Sequence, residues 1–227
     1  MTSLAPLTVV FDLDGTLVET APDLLDALTV ALREEGVAPL PYEQGRDLIG
    51  AGARALVVRG LEVAGRPATQ QRIDELHAVF LDHYGRHIAD KSHPYDGCLA
   101  ALDRLRARGA RLAVCTNKIE RYARQLLETL QMTDTFDAIV GGDTFPVSKP
   151  NPEPLLGAIE RAGGDPRRAV MVGDSSTDVD AAKAAGVPVV VMSFGYTLTP
   201  AGELGGDVLI DHYDELDAAL AELAPPS

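Results

Sequence analysis

Cysteine is scarce in this chain of 227 residues: Cys98 and Cys115 are its two examples, each in an apolar context. Two thiols exclude a disulfide framework and make the reducing cytoplasm the expected compartment. Neither has a nucleophile signature around it, so both read as buried packing. Lysine is nearly as rare. Lys91, Lys118, Lys149 and Lys183 are the only four, beside sixteen arginines. No basic run or aromatic-interleaved basic patch occurs, and 34 acidic against 20 basic residues leave a net charge of −14. Nucleic acid is therefore not an expected partner. Long apolar runs are missing too. The N-terminal one is broken by Asp12 and has no basic segment before it, so neither a signal peptide nor a membrane span is expected. No internal repeat is visible, and low complexity is confined to the Ala-Pro-Pro-Ser tail.

What is present is a globular composition, 46% hydrophobic, in a chain long enough for one large or two small domains. Short apolar runs at 7–11, 111–115, 138–140, 169–172 and 187–192 predict strands of a buried parallel sheet, with a possible edge strand at 208–210. Helical periodicity at 98–108, 119–130, 154–162 and 179–185 lies between most of them. Such alternation predicts a doubly wound α/β, Rossmann-like parallel sheet, whose ligands sit at the carboxyl ends of the strands. Residues 19–91 break the pattern. They hold helical segments at 22–35, 42–48, 53–63 and 68–88 and no convincing strand. The expected organisation is a catalytic core of 1–18 and 92–227 with an inserted helical cap of 19–91. Hinges are expected near 18–21 and 90–97. Thr20 with Asp23 resembles a capping-box start to the first cap helix, and Pro22 suits its first turn.

Asp12-Leu13-Asp14-Gly15-Thr16 follows the first predicted strand. Side chains two apart on a strand share a face, so both carboxylates project into one small volume. They repel unless a cation or a shared proton compensates. Taken alone, the pair also suits an Asp-rich turn capping the next helix. Three further motifs end later strands. Thr116-Asn117-Lys118 offers a hydroxyl and backbone N–H groups at a strand–helix junction, where a phosphoryl oxygen is well received. Lys149 precedes three prolines in five residues, which hold a compact ammonium on a stiff loop. Gly173-Asp174-Ser175-Ser176-Thr177-Asp178 adds a third acid facing the same crevice. Asp178, at the helix start, is equally explained as a cap. Three carboxylates with a backbone oxygen form a hard-oxygen set that suits Mg²⁺.

This order of motifs, with Ala181-Ala182-Lys183-Ala184-Ala185-Gly186 after the last, resembles the haloacid dehalogenase superfamily in its phosphatase branch, over almost the whole chain. Dehalogenating members lack an acid at the Asp14 position, so the resemblance implies phosphoester chemistry. It makes Asp12 the nucleophile that forms an aspartyl-phosphate. Asp14 becomes the proton donor to the leaving alkoxide and then the base for water. The implied Mg²⁺ ligands are the Asp12 carboxylate, the Asp14 backbone carbonyl and the Asp174 carboxylate, with Asp178 supporting them from behind. Thr116, Asn117 and Lys149 are implied to hold the phosphoryl oxygens, and Lys149 also to orient Asp12.

Within the superfamily, Ala21-Pro22-Asp23, Leu48-Ile49-Gly50-Ala51-Gly52, Gly141-Gly142-Asp143, Lys149 through Leu156 and Phe194-Gly195-Tyr196 are similar to the phosphoglycolate phosphatase family. A small phosphorylated substrate is implied, 2-phosphoglycolate above others. Gly50 and Gly52, in the cap, would bring backbone N–H groups to its carboxylate, although an ordinary helix–helix turn explains them as well. Glu19 stands where close relatives often carry Asp. The alternatives are the same chemistry on a sugar phosphate or pyrophosphate, a phosphomutase, or a receiver-type module switched by aspartyl phosphorylation. A monomer or a homodimer is expected. His77, His83, His87 and His93 read as solvated or capping histidines, and Arg104, Arg106 and Arg108 as the exposed side of a helix.

Overall fold

The computed structural model describes residues 7–223, so the Ala-Pro-Pro-Ser tail lies outside the described residues. In chain order the elements are β1 (Thr8–Phe11), β2 (Val18–Glu19), α1 (Ala21–Arg33), α2 (Tyr42–Arg46), α3 (Ala53–Val63) and α4 (Gln70–Arg86), followed by β3 (His93–Pro94) and α5 (Cys98–Ala107). Then come β4 (Arg111–Cys115), α6 (Glu120–Thr129), β5 (Ala138–Val140), α7 (Glu153–Arg161), β6 (Ala169–Gly173), α8 (Ser176–Ala185), β7 (Val189–Met192), β8 (Val208–Ile210) and α9 (Leu216–Leu223).

Six strands form one parallel sheet in the order β5-β4-β1-β6-β7-β8. Its central strand is wholly buried, as its uninterrupted Thr-Val-Val-Phe sequence requires of a strand covered on both faces. Side chains alternate across it. Val9 and Phe11 enter one apolar cluster with α5, α6 and α9, while Val10 enters the other with α7 and α8. After β5 the chain crosses back to the far side of β1 to lay down β6. The order therefore reverses beside β1, and the crevice at that switch point is where such folds hold ligands.

The helices α1 to α4 pack chiefly on one another, α1 against α4 and α3 against both. Their buried Leu28, Leu61, Leu76 and Phe80 belong to the same apolar cluster as Val9 and Phe11. Thr20 and Asp23 do not make the expected capping box. Thr20 hydrogen-bonds Asp14 Oδ1 at 2.7 Å instead, and the Asp23 carboxylate accepts from the Ser92 N–H and hydroxyl at 2.8 and 2.6 Å. Asp23 thus ties the start of the helical insertion to its end. Pro22 lies in the first turn as expected.

Two features went unread in the sequence. The connections at 18–19 and 93–94 pair with each other as a short antiparallel ladder, Val18 opposite Pro94 and Glu19 opposite His93. The terminal helix α9 is the other, and it corrects the exposed-face expectation for Arg104 and Arg108, which are half-buried against it, while Arg106 is exposed as expected. Arg104 bonds Asp217 Oδ2 at 2.8 Å, Arg108 also pairs with Asp217, and Arg106 donates to the Thr135 carbonyl. No helix among the described residues is long and apolar enough to cross a membrane.

Candidate active site

The ladder itself places the first acid. Asp12 N–H donates to the Val172 carbonyl at 2.9 Å, so the residue after β1 is still held by β6. Gly15 then turns the chain at φ 83°, a left-handed conformation that Gly adopts without strain. A Cβ there would stand 2.5 Å from Asp174 Oδ2, so the turn needs glycine for space as well. Thr116 continues β4 in the same way, its N–H donating to the Val140 carbonyl at 3.0 Å. Asp174 follows β6 directly, and α8 opens with Asp178 accepting from the Ser175 N–H and hydroxyl at 3.1 and 2.6 Å.

These ends converge. Ligand oxygens of Asp12, Asp174 and Asp178 all lie within 4.8 Å of one another, and all three residues are buried. Lys149, 3% exposed, reaches in among them. Its ammonium donates to Asp178 Oδ1 and the Cys115 carbonyl, both at 2.6 Å, and lies 3.0 Å from Asp12 Oδ1. That last approach is an ion pair without hydrogen-bond alignment, and Asp12 Oδ1 is left as a buried oxygen with no hydrogen-bond partner. Asp174 has no cation beside it; it accepts from the Thr16 hydroxyl at 2.7 Å and the Tyr196 N–H at 2.6 Å. The second lysine of the site, Lys118, meets both oxygens of Asp14 at 2.8 and 2.9 Å.

Four carboxylates against two ammoniums leave an excess of two negative charges in a buried volume. The strain falls on Asp12 and Asp174. Burial, opposed by Lys149 and reinforced by Asp178 and Asp14, pushes the Asp12 carboxyl up to about 7. Burial together with Asp178 and Asp12 pushes Asp174 well above the usual carboxylate range. One divalent cation would cancel the excess, and an Asp12 oxygen lies within 4.8 Å of ligand oxygens of the two other acids that could share it. The donor set therefore fits a divalent metal. Asp178 is the least available ligand, its oxygens being taken by Lys149 and by the start of α8.

A pH dependence follows, with its sign fixed by the direction of the shift. In the folded, cation-free protein Asp12 keeps its proton to about pH 7, whereas an unfolded aspartate loses it near 3.8. The folded state then binds more protons between these values, so its stability falls as pH rises through that window. Relative to Asp12→Asn, the wild type in EDTA should lose stability from about pH 4 through about pH 7. A divalent cation should flatten the difference. Denaturant titrations over that range check it; parallel curves for the two proteins in EDTA would contradict it.

Asp12, Asp14, Thr116 and Asn117 line one cavity of about 530 Å³, counting space open to solvent, together with Gly50 and Gly52 from the helical insertion. The six residues predicted from separate motifs thus share one wall, and Lys149, Asp174 and Asp178 join it through Asp12. Thr116 Oγ1 accepts from the Lys118 N–H at 3.1 Å and keeps its own proton to give. Asn117 Nδ2 bridges the carbonyls of Gly50 and Lys149 at 3.3 and 3.1 Å. Its amide thereby fastens the glycine loop to the lysine loop. The histidines stand outside the acid cluster; His83 stacks on His87, and His87 bonds Asp90. Both cysteines are buried and unpaired, and burial pushes both thiols up to about 12.

Three residues of this region went unassigned in the sequence. Lys118 carries a signal that could have found it, being one of four lysines and part of the Thr-Asn-Lys motif. Tyr196 stands in the Phe194-Gly195-Tyr196 stretch that carries the family resemblance, though with no role assigned to it, and Tyr84 carries no signal. The Tyr196 hydroxyl accepts from the N–H groups of Thr20 and Ala21 at 2.7 and 2.9 Å and donates to Glu19 Oε1 at 2.5 Å. Its own N–H holds Asp174, so one tyrosine joins the acid at the end of β6 to the start of α1. Glu19 also accepts from the Tyr95 hydroxyl at 3.1 Å through Oε2.

An acid pair, a hydroxyl, a buried lysine and a cation-fitting acid cluster on adjacent ends of a parallel sheet define a hydrolase acting on phosphate esters. Residues 9–192 match the haloacid dehalogenase-like hydrolase model, and the chain belongs to that family. It is 43% identical to the phosphoglycolate phosphatase of Caulobacter vibrioides over 216 residues, which cover 95% of this chain and 91% of that protein. Identity to the phosphoglycolate phosphatase of Mesorhizobium japonicum is 45% over 214 residues, 94% of each. In three dimensions it matches a predicted phosphoglycolate phosphatase from Haemophilus somnus with a TM-score of 0.86, at 29% identity, over 93% of this chain and 96% of that one.

Proposed function

We propose that this enzyme hydrolyses 2-phosphoglycolate to glycolate and phosphate, with Mg²⁺ as its cation, in the cytoplasm. The observation that carries the chemistry is the buried Asp12 carboxylate, ion-paired with Lys149 at 3.0 Å and set beside two further buried acids. The substrate rests on relatives at 43 and 45% identity that span nearly the whole chain.

Asp12 acts as the nucleophile. Its carboxylate oxygen bonds to phosphorus as the ester P–O bond breaks, giving an aspartyl-phosphate. Asp14 gives a proton to the departing oxygen, then takes one from the water that attacks the acyl phosphate. Lys149 holds Asp12 in place and meets the charge gathering on the phosphoryl oxygens, and the Thr116 hydroxyl donates to one of them. Asn117 acts through the two loops it joins. Asp12, Asp174 and the Asp14 backbone carbonyl would hold the cation, which when bound supplies charge that lets a carboxylate approach a phosphate dianion. Residues 19–91 act as a cap that closes over the site and shuts out water, with 1–18 and 92–227 as the core.

Phosphate release from a panel of small esters, with Mg²⁺ or with EDTA, tests this. Turnover should require the cation, and 2-phosphoglycolate should have the highest kcat/KM; a sugar phosphate or pyrophosphate preferred to it would overturn the substrate. Mg²⁺ at a hundred times its Kd should also stabilise the fold by about 2.7 kcal/mol, visible as a raised Tm.

A further inference from the structure

Lys118 and Tyr84 have no part in the chemistry just described, yet both face the substrate cavity. Lys118 is 8% exposed and Tyr84 2%. Lys118 comes from the core, after β4, and Tyr84 from α4 of the helical insertion. The ammonium lies over the Tyr84 ring, 4.7 Å from its centroid. An ammonium has three N–H donors, and Asp14 accepts at two short distances. The Tyr84 hydroxyl is buried without any hydrogen-bond partner. Burial, with the Lys118 ammonium opposing, pushes that phenol up to about 12, so it stays a neutral donor. A buried ammonium whose two short contacts are to Asp14, lying against a buried hydroxyl that makes no aligned hydrogen bond, suits this cavity wall to a second anionic group.

Position says which one. Asp14 is the residue assigned to the ester oxygen, and Lys118 is bonded to Asp14. The cavity beyond Asp14 is closed by Leu24, Ile49, Leu56, Phe80 and Leu81, and Lys118 is the only cation among the residues lining it. In a phosphorylated 2-hydroxy acid the carboxylate stands two bonds past the ester oxygen. We propose that Lys118 and Tyr84 together recognise the substrate's carboxylate, Lys118 by charge and Tyr84 by its hydroxyl. This rests on the phosphatase activity proposed above and deepens it. It assigns substrate choice to a lysine of the core acting with a tyrosine of the cap, so the pair forms fully only where the two meet.

The test compares kcat/KM for 2-phosphoglycolate and 2-hydroxyethyl phosphate, which differ by a carboxylate against a hydroxymethyl group. The readout is the ratio of the two, because any general damage to Asp14 cancels in it. The wild type should favour 2-phosphoglycolate. K118M should lower the ratio by about 10- to 100-fold, and Y84F by about 3- to 10-fold. K118R should keep part of the preference. A K118M enzyme that slows on both substrates equally overturns the proposal. If K118M does not fold, as circular dichroism would show, Y84F decides, and an unchanged ratio there overturns it. A wild type indifferent to the two esters instead sinks the substrate reading itself, before any variant is made.

Discussion

Asp12→Asn is expected to abolish turnover, lowering kcat by ~10⁴-fold or more. The amide keeps the size of the side chain and leaves the backbone N–H on the Val172 carbonyl. What it lacks is the nucleophilic oxygen. The variant should nevertheless fold well, because it removes one negative charge from a cluster already short of cations. Asp174 and Asp178 lose a repelling neighbour, and Lys149 keeps Asp178 at 2.6 Å. In EDTA at neutral pH its Tm should therefore be no lower than that of the wild type. Phosphate release by purified protein at saturating substrate, with a melt alongside, measures both. Appreciable turnover in a pure, folded Asn variant would take the nucleophile's place away from Asp12.

Lys149→Met should damage stability and activity together. Its ammonium is the cation between Asp12 and Asp178, and Asp178 is 0% exposed. Removing one partner of a buried ion pair leaves the other charged and unpaired, at a cost of about 3–5 kcal/mol. In a chain of this size that is a fall in Tm of about 6–20 °C. The Cys115 carbonyl loses its donor as well. Catalysis should fall by about 10²- to 10³-fold through lost charge stabilisation of the transferring group. Adding Asp178→Asn to Lys149→Met should restore part of the stability and none of the rate, which separates the two roles. A Lys149→Met protein melting with the wild type would mean that the buried acids are compensated elsewhere.

The parallel sheet was legible because each strand is a short apolar run closed by a polar motif, and four of those motifs are the site. Arg111–Cys115, Ala138–Val140 and Val208–Ile210 lie where the sequence predicts strands. Two-residue strands such as Val18–Glu19 and His93–Pro94 carry no period to detect, and their pairing joins segments 74 or more residues apart. The eight residues of Leu216–Leu223 show one apolar pair per turn, and they gain their place from Arg104 and Arg108 on a helix more than a hundred residues earlier. The Lys118–Asp14 contact also spans 104 residues. A motif names the residue types at a strand end, whereas the partner each one meets depends on which strands become neighbours. Glu19 makes the same point from the other side. Its length over aspartate gains meaning only from two tyrosine hydroxyls brought to it from Tyr95 and Tyr196.

The central position of β1 has a consequence for biosynthesis. Its two neighbours, Arg111–Cys115 and Ala169–Gly173, leave the ribosome about 100 and 160 residues after it. At roughly 5–20 residues per second, this wholly buried strand waits about 5–30 seconds before both its neighbours exist. The four-helix insertion, built from contacts closer in the chain, can form meanwhile. The nascent chain should therefore depend on chaperone protection until β6 is made, and a chain cut short before Ala169 should aggregate rather than linger as a partial enzyme.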